Sequence, residues 1–426
     1  DNGLTVVLKG IPTAPVTTCW TWYKVGSRHE TPGITGAAHW VEHMLSARLA
    51  FEGRDLFSTY ARLGGVNNAG TSFDYTHYYA TLPPDRIETA MRVAASRMAT
   101  HELHPDATER ERTVIISERQ WLENNPQHVL FENMLSTAFQ IHPYRHEPIG
   151  YMHDLKTMDS ANLQQFCDTY YTPNNALLVM VGPFAPTDFL ARVKALFADI
   201  APGPEPPETA PPEPPQRGER RFRIEGPGST AYVEVAYHTP PPNHADFFAV
   251  VVLDTILAGA GSLAVIGDGS SNVSSRLYRA LVNAELATDV WGSLYSTVDP
   301  YLYAISATVR AGRTPAEVEA ALDVELDRIQ EQPIKEDDIA RATKQARAMF
   351  VYGAESVTKQ GFWYGFSEVF ADYAWFETYV ENLRAVTVED VQRAAQTYLS
   401  RSNRTVGWYV PTNPSTDPQE NAKEKM

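Results

Sequence analysis

Two stretches of the chain run through the same series of features. Residues 158–183 read MDSANLQQFCDTYYTPNNALLVMVGP, and residues 386–411 read VTVEDVQRAAQTYLSRSNRTVGWYVP. Without a gap, each gives an N-capped amphipathic helix, a Thr-Tyr or Asp-Thr-Tyr, a turn containing Asn, a β-type run and a terminal proline. Asp159 and Thr387 are the expected caps. Leu163, Phe166 and Tyr170 mark one apolar face, and Val391, Ala394 and Tyr398 mark its counterpart. The two stretches lie 228 residues apart, on either side of residues 201–216, APGPEPPETAPPEPPQ, which hold eight prolines. Prolines at that density lack backbone donors and favour extended chain, so this stretch reads as a fairly stiff linker. A duplicated domain joined at the midpoint follows from that layout.

Each half mixes element types. TVVLKG, VTTCWTWYKVG and THYYATLP read as strands in the first half, and ETAMRVAASRMAT and 106–123 as helices. In the second half TAYVEVAYHT and YLYAISATVR read as strands, and AEVEAALDVELDRIQ and EDDIARATKQARAMF as helices. The expected fold is α+β: two homologous domains, residues 1–200 and 218–426, each a mainly antiparallel sheet packed with helices, with a Pro-rich linker at 201–217. A chain of 426 residues is long enough for two such cores.

Composition narrows the function. The formal charge of −16 repels phosphate backbones and argues against nucleic acid. The best apolar run, FFAVVVLDTILAG, is too short for a membrane span and carries Asp254. Cys19 and Cys167 are the only cysteines and lack metal-type spacing, so the fold rests on its core. The sequence begins at Asp1 without an initiator methionine, through a removed leader or a trimmed start. The compartment, cytoplasmic or periplasmic, stays open.

The chemistry concentrates in HWVEH, residues 39–43. On a helix His39 and His43 project from one face a turn apart, close enough to share a Zn²⁺, and Glu42 lies on the same side as a general base. A third ligand is needed, and ATERERTVIISERQWLENNP offers Glu109, Glu111, Glu118 and Glu123. Glu111 and Glu118 are seven apart and share a face, with Val114 and Ile115 expected to pack between them. The histidines at 77, 101, 104, 128, 142, 146 and 153 have no partner at metal spacing and read as structural or surface residues. GAGSLA, 259–264, is a partial dinucleotide fingerprint that follows a helix and lacks its last glycine, so it reads as a loop.

HWVEH followed 74 intervening residues later by Glu118 resembles the inverted-zincin signature of the pitrilysin and mitochondrial processing peptidase family. The resemblance extends to GSRHE at 26–30, GGVNNAGTSFDYTHYY after the motif and FQIHPYRHEPIGYMHDL at 139–155. It implies one Zn²⁺ per chain on His39, His43 and Glu118, with Glu42 as catalytic base and Glu111 steadying a ligand histidine. It also places Asn68 and Ala69 beside the scissile bond, within a segment that includes Gly70 and Thr71 and offers a peptide substrate an open edge. The second half's counterpart of the metal helix falls near GDGSS, 267–271, with no ligand types. In the family that half also carries an arginine and, seven residues later, a tyrosine. In SSRLYRALVNAELATDV the arginine position holds Val282, and Thr288 and Asp289 stand where the tyrosine would fall, with Arg279 and Tyr278 as the nearby substitutes. The resemblance therefore implies a zinc endopeptidase subunit working with a related partner that lacks HxxEH. The alternatives are a non-catalytic scaffold and a peptide-binding module of the same fold.

Overall fold

The computed structural model describes residues 2–46, 50–51, 53–99, 102–207, 210–261, 263 and 273–413. GDGSS and residues 262 and 264 of GAGSLA lie outside them, as does His101. In chain order the first half forms β1 (Thr5–Gly10), β2 (Thr17–Tyr23), α1 (Ala37–Ser46), the short β3 (Ala50–Phe51) and β4 (Arg54–Asp55), and α2 (Leu56–Arg62). Then come β5 (Val66–Thr71), β6 (Thr76–Leu82), α3 (Ile87–Ala99), α4 (Pro105–Glu123) and α5 (Pro126–Ala138). They are followed by α6 (Met152–Thr157), α7 (Ser160–Tyr170), β7 (Ala176–Gly182) and α8 (Pro186–Phe197). The second half forms β8 (Arg220–Gly226), β9 (Tyr232–Thr239), α9 (Phe247–Leu257), β10 (Ala287–Leu294), β11 (Tyr301–Val309) and α10 (Pro315–Glu331). It ends with α11 (Glu336–Gly353), α12 (Val357–Phe370), α13 (Tyr373–Ala385), α14 (Val388–Tyr398) and β12 (Arg404–Pro411).

Two five-stranded sheets result, ordered β1-β7-β2-β6-β5 and β8-β12-β9-β11-β10. In each, the first strand pairs parallel with the last, Thr5 beside Leu177 and Arg220 beside Thr405, and every other pairing is antiparallel. The repeat seen in the sequence is thus a repeat of topology. Its caps match too, since Asp159 accepts from the Asn162 amide and Thr387 from the Asp390 amide, both in capping boxes.

The compact units do not follow the halves of the chain. One contains residues 1–120, 142–211 and 353–376, and the other 121–141, 212–352 and 377–426. The first unit is completed by α12 from late in the sequence, which lies on β2 and β7. The second is completed by α5, which lies on β12, β8 and β9. Between the units' strands, residues 201–207 and 210–216 contain no helix or strand.

The all-buried β2, TTCWTWY, shows how the first unit's sheet is filled on both faces. Trp20 and Trp22 point to one side, where Phe362 of α12 packs against both rings. Gly361 and Gly365 stand one turn apart on the same helix face, and a Cβ at either would overlap those indoles. Only glycine lets α12 come this close. Cys19 and Thr21 point to the opposite side, where α3 crosses β2 and β6 and α1 lies over β5 and β6.

Candidate active site

Helix α1 buries Ala37, Ala38, Trp40, Val41, Met44 and Leu45, leaving His39 and His43 side by side with ring centroids 4.6 Å apart. Its N-terminus is tied down by a buried carboxylate. Glu30 accepts from the Gly36 and Ala38 amides at 2.8 Å each, and its Oε2 lies 3.0 Å from His146 Nε2. Asp154 does the same for the approach loop, accepting from the Gly33 and Thr35 amides at 3.0 and 3.1 Å and from the Thr35 hydroxyl at 2.7 Å. A carboxylate at this end of a helix satisfies its free amides and meets the positive pole of its dipole. Glu30→Ala would leave two buried N–H groups unpaired, so we expect a loss of about 3 kcal/mol. Urea unfolding measures it; an unchanged midpoint would show that water replaces the carboxylate.

Helix α4 brings the remaining carboxylates. Arg112 lies over the Trp40 ring, 4.8 Å from its centroid, and donates to the Leu155 and Met158 carbonyls, tying α4 to both α1 and α6. Ile115 is buried as expected, whereas Val114 is 44% exposed, because only one of two adjacent helical positions can face α1. On that face Glu111 is buried, with Oε1 2.8 Å from His43 Nδ1. Nδ1–H donating there leaves the His43 Nε2 lone pair free. That Nε2 is 3.7 Å from Glu118 Oε2, and His39 Nε2 is 3.8 Å from the same oxygen. His39, His43 and Glu118 thus each offer an atom within 4.8 Å of the others, the one such group among the described residues. Glu109 turns away to pair with Arg112.

The electrostatics differ residue by residue. Burial, then the neighbouring His43, pushes the His39 pKa down to about 3, so it stands as a neutral imidazole. For His43 burial pulls down, but the Glu111 hydrogen bond and the carboxylates of Glu42, Glu111 and Glu118 outweigh it and the net shift is upward. Glu42 is buried beside them, and burial raises its pKa to about 7 against the opposing pull of His43 and of a hydrogen bond from Thr71. That bond runs from Thr71 Oγ1 to Glu42 Oε2 at 3.0 Å.

Asn68, Ala69, Gly70 and Thr71 belong to the outer strand β5, whose only sheet neighbour among the described residues is β6. Its exposure alternates, with Asn68 outward and Ala69 half-buried. A pocket of about 230 Å³ opens beside it, with Glu42 and His43 among its lining residues. In the second unit Tyr278–Val282 form a single π-helical turn, and Thr288 is exposed on β10, its hydroxyl 3.5 Å from the Thr308 carbonyl. The Arg276 of that segment pairs with Asp338.

Sequence reasoning missed Glu30, His146 and Arg97 and did not foresee the Thr71 bond to Glu42. His146 reads as structural from the sequence, and its partner Glu30 lies 116 residues away, where no local spacing reveals it. Arg97 did leave a signal: with Ala90 and Ala94 it places a charge on the apolar stripe of α3.

Two family models span most of the chain: "Insulinase (Peptidase family M16)" matches residues 5–150, and "Peptidase M16 inactive domain" matches residues 157–346. The chain belongs to peptidase family M16. Among its M16 relatives is a protein named zinc protease PqqE from Helicobacter pylori, 27% identical over 91% of this chain and 86% of that one. Another is named probable mitochondrial-processing peptidase subunit beta, from Arabidopsis thaliana, 25% identical over 93% of this chain and 75% of that one. A crystal structure of a protease from Helicobacter pylori superposes with a TM-score of 0.89 at 25% identity, covering 96% of this chain and 98% of that one. No helix among the described residues is long and apolar enough to cross a membrane.

Proposed function

We propose that this M16 chain is the zinc-bearing subunit of an endopeptidase that hydrolyses peptides or unfolded segments. The observation that carries the proposal is the convergence of His39 Nε2, His43 Nε2 and Glu118 Oε2 with Glu42 adjacent. Two imidazoles and one carboxylate match the donor set of catalytic zinc sites, which keep a fourth position open. The buried Glu111 fits as the group that fixes His43 in the ligating tautomer. Zn²⁺ held by these three residues would supply Lewis acidity, polarising the peptide carbonyl and acidifying a water.

The chain's own residues do the rest. Glu42 takes the water's proton as its oxygen adds to the carbonyl carbon, and returns that proton to the amine nitrogen as the C–N bond breaks. Its burial favours holding the proton between the two tasks, and Thr71 holds one of its oxygens in place. The substrate adds as a strand along β5, where Asn68, Ala69, Gly70 and Thr71 offer backbone groups beside the site. Two experiments test this. Dialysis against a chelator should abolish turnover and one equivalent of zinc per chain should restore it; peptide hydrolysis by metal-free protein would refute the reading. Ala69→Pro removes a backbone donor and should raise KM about tenfold or abolish cleavage with zinc still bound. Unaltered KM would rule out strand addition at this edge.

At the matching positions the second unit lacks the family's Arg/Tyr pair, since the Val282 side chain has no donor and neither Thr288 nor Asp289 offers a phenol. A related partner chain that has kept the pair would supply it, in line with the word subunit in one relative's name.

A further inference from the structure

We propose that Arg97 makes the pocket beside Glu42 selective for a substrate side chain bearing a carboxylate, glutamate or aspartate, next to the bond that is cut. This rests on the peptidase reading above. Arg97 is 5% exposed on α3. Its Nε donates to the Leu45 carbonyl at 2.9 Å, near the C-terminal end of α1, and its guanidinium lies 4.0 Å from the centre of the Tyr78 ring. Those contacts use one N–H and one face of the group. Among the described residues, no acceptor meets the two terminal nitrogens and no carboxylate forms an ion pair with it. A buried cation is costly unless an anion comes to it, and water entering a pocket can satisfy its N–H groups without cancelling its charge.

Arg97 lines the 230 Å³ pocket whose other walls include Glu42, His43 and the Asn67–Ala69 segment of β5. A peptide lying along β5 with its scissile bond at Glu42 therefore directs a neighbouring side chain into this space. Ala90 and Ala94 keep one wall low, and the Tyr78 ring gives an apolar surface for a methylene stem. At its end a carboxylate meets a planar fork of free donors, the geometry in which arginine binds carboxylates through paired hydrogen bonds. Glu42 opposes an acidic guest and the net charge of −16 disfavours acidic peptides at long range, but exposed charges beyond about 10 Å are largely screened in salt. Selection is settled by the group in direct contact.

The test uses peptides identical except for Glu, Gln, Leu or Lys on either side of the cleaved bond. Binding is measured by fluorescence anisotropy on zinc-loaded Glu42→Gln protein, which needs no turnover, and kcat/KM on the wild type with its partner present. At one of the two positions Glu should exceed Gln about tenfold in both assays, with Lys weakest. Arg97→Gln should bring the Glu/Gln ratio close to one, and Arg97→Glu should favour Lys. Equal binding of Glu and Gln peptides to protein with Arg97 intact overturns the proposal whatever the variants do, as does a ratio that survives Arg97→Gln. A Glu preference in binding with no peptide cut sinks the peptidase reading and leaves the pocket assignment standing.

Discussion

Glu42→Gln is expected to bind one zinc and hydrolyse peptides about 10²- to 10⁴-fold more slowly, whereas His43→Ala loses both metal and turnover. The contrast follows from geometry. Glu42 turns its Oε2 toward Thr71, and the amide of glutamine can keep that hydrogen bond while surrendering the ability to take a proton. His43 sits between Glu118 on one ring nitrogen and the buried Glu111 on the other, so its removal would delete a proposed ligand and take a hydrogen-bond partner from a carboxylate that is 2% exposed. Metal analysis beside initial rates makes the measurement. Loss of zinc from Glu42→Gln would mean that the roles of Glu42 and Glu118 are exchanged.

The isolated chain should bind zinc yet cleave about 10²- to 10³-fold below its rate with the related partner, the range associated with losing a donor to the developing oxyanion. Neither Val282 nor the exposed Thr288 can stand in for an Arg/Tyr pair. Titrating a chain that carries the pair into a fixed amount of this one should raise kcat/KM to a plateau at equal stoichiometry. Full turnover by this chain alone, undiminished when Arg279 and Tyr278 are both replaced, would remove the need for a partner.

How much of this was legible in the sequence depends on distance along the chain. HWVEH is local, and helical spacing alone put two imidazoles and a carboxylate on one face. Glu118 was one glutamate among four on its helix, and spacing narrowed the choice only to a face shared with Glu111; family resemblance made the selection. Strands and helices showed through because their periodicities are strong, as in the all-buried β2 and the two capping boxes. The exchange of α5 and α12 between units left no mark, since a repeat fixes what each half contains and says nothing of which sheet a helix covers. Arg97 and Glu30 are legible only as charges in apolar surroundings, and their partners come from other elements.

The helix that closes the first unit also sets a clock. On the ribosome β2 emerges more than 300 residues ahead of α12, and until α12 follows, Trp20 and Trp22 lack the layer that Phe362, Gly361 and Gly365 provide. At about 5–20 residues per second that interval is roughly 20 to 60 seconds. Throughout it α1 rests on a sheet covered on one face only, whose aromatic side lacks its helical backing. The proposed metal site is thus written near the start of the message, and its backing is completed near the end. On the peptidase reading proposed above, a nascent chain would gain a finished site only after most of its own segments have been made and can fold.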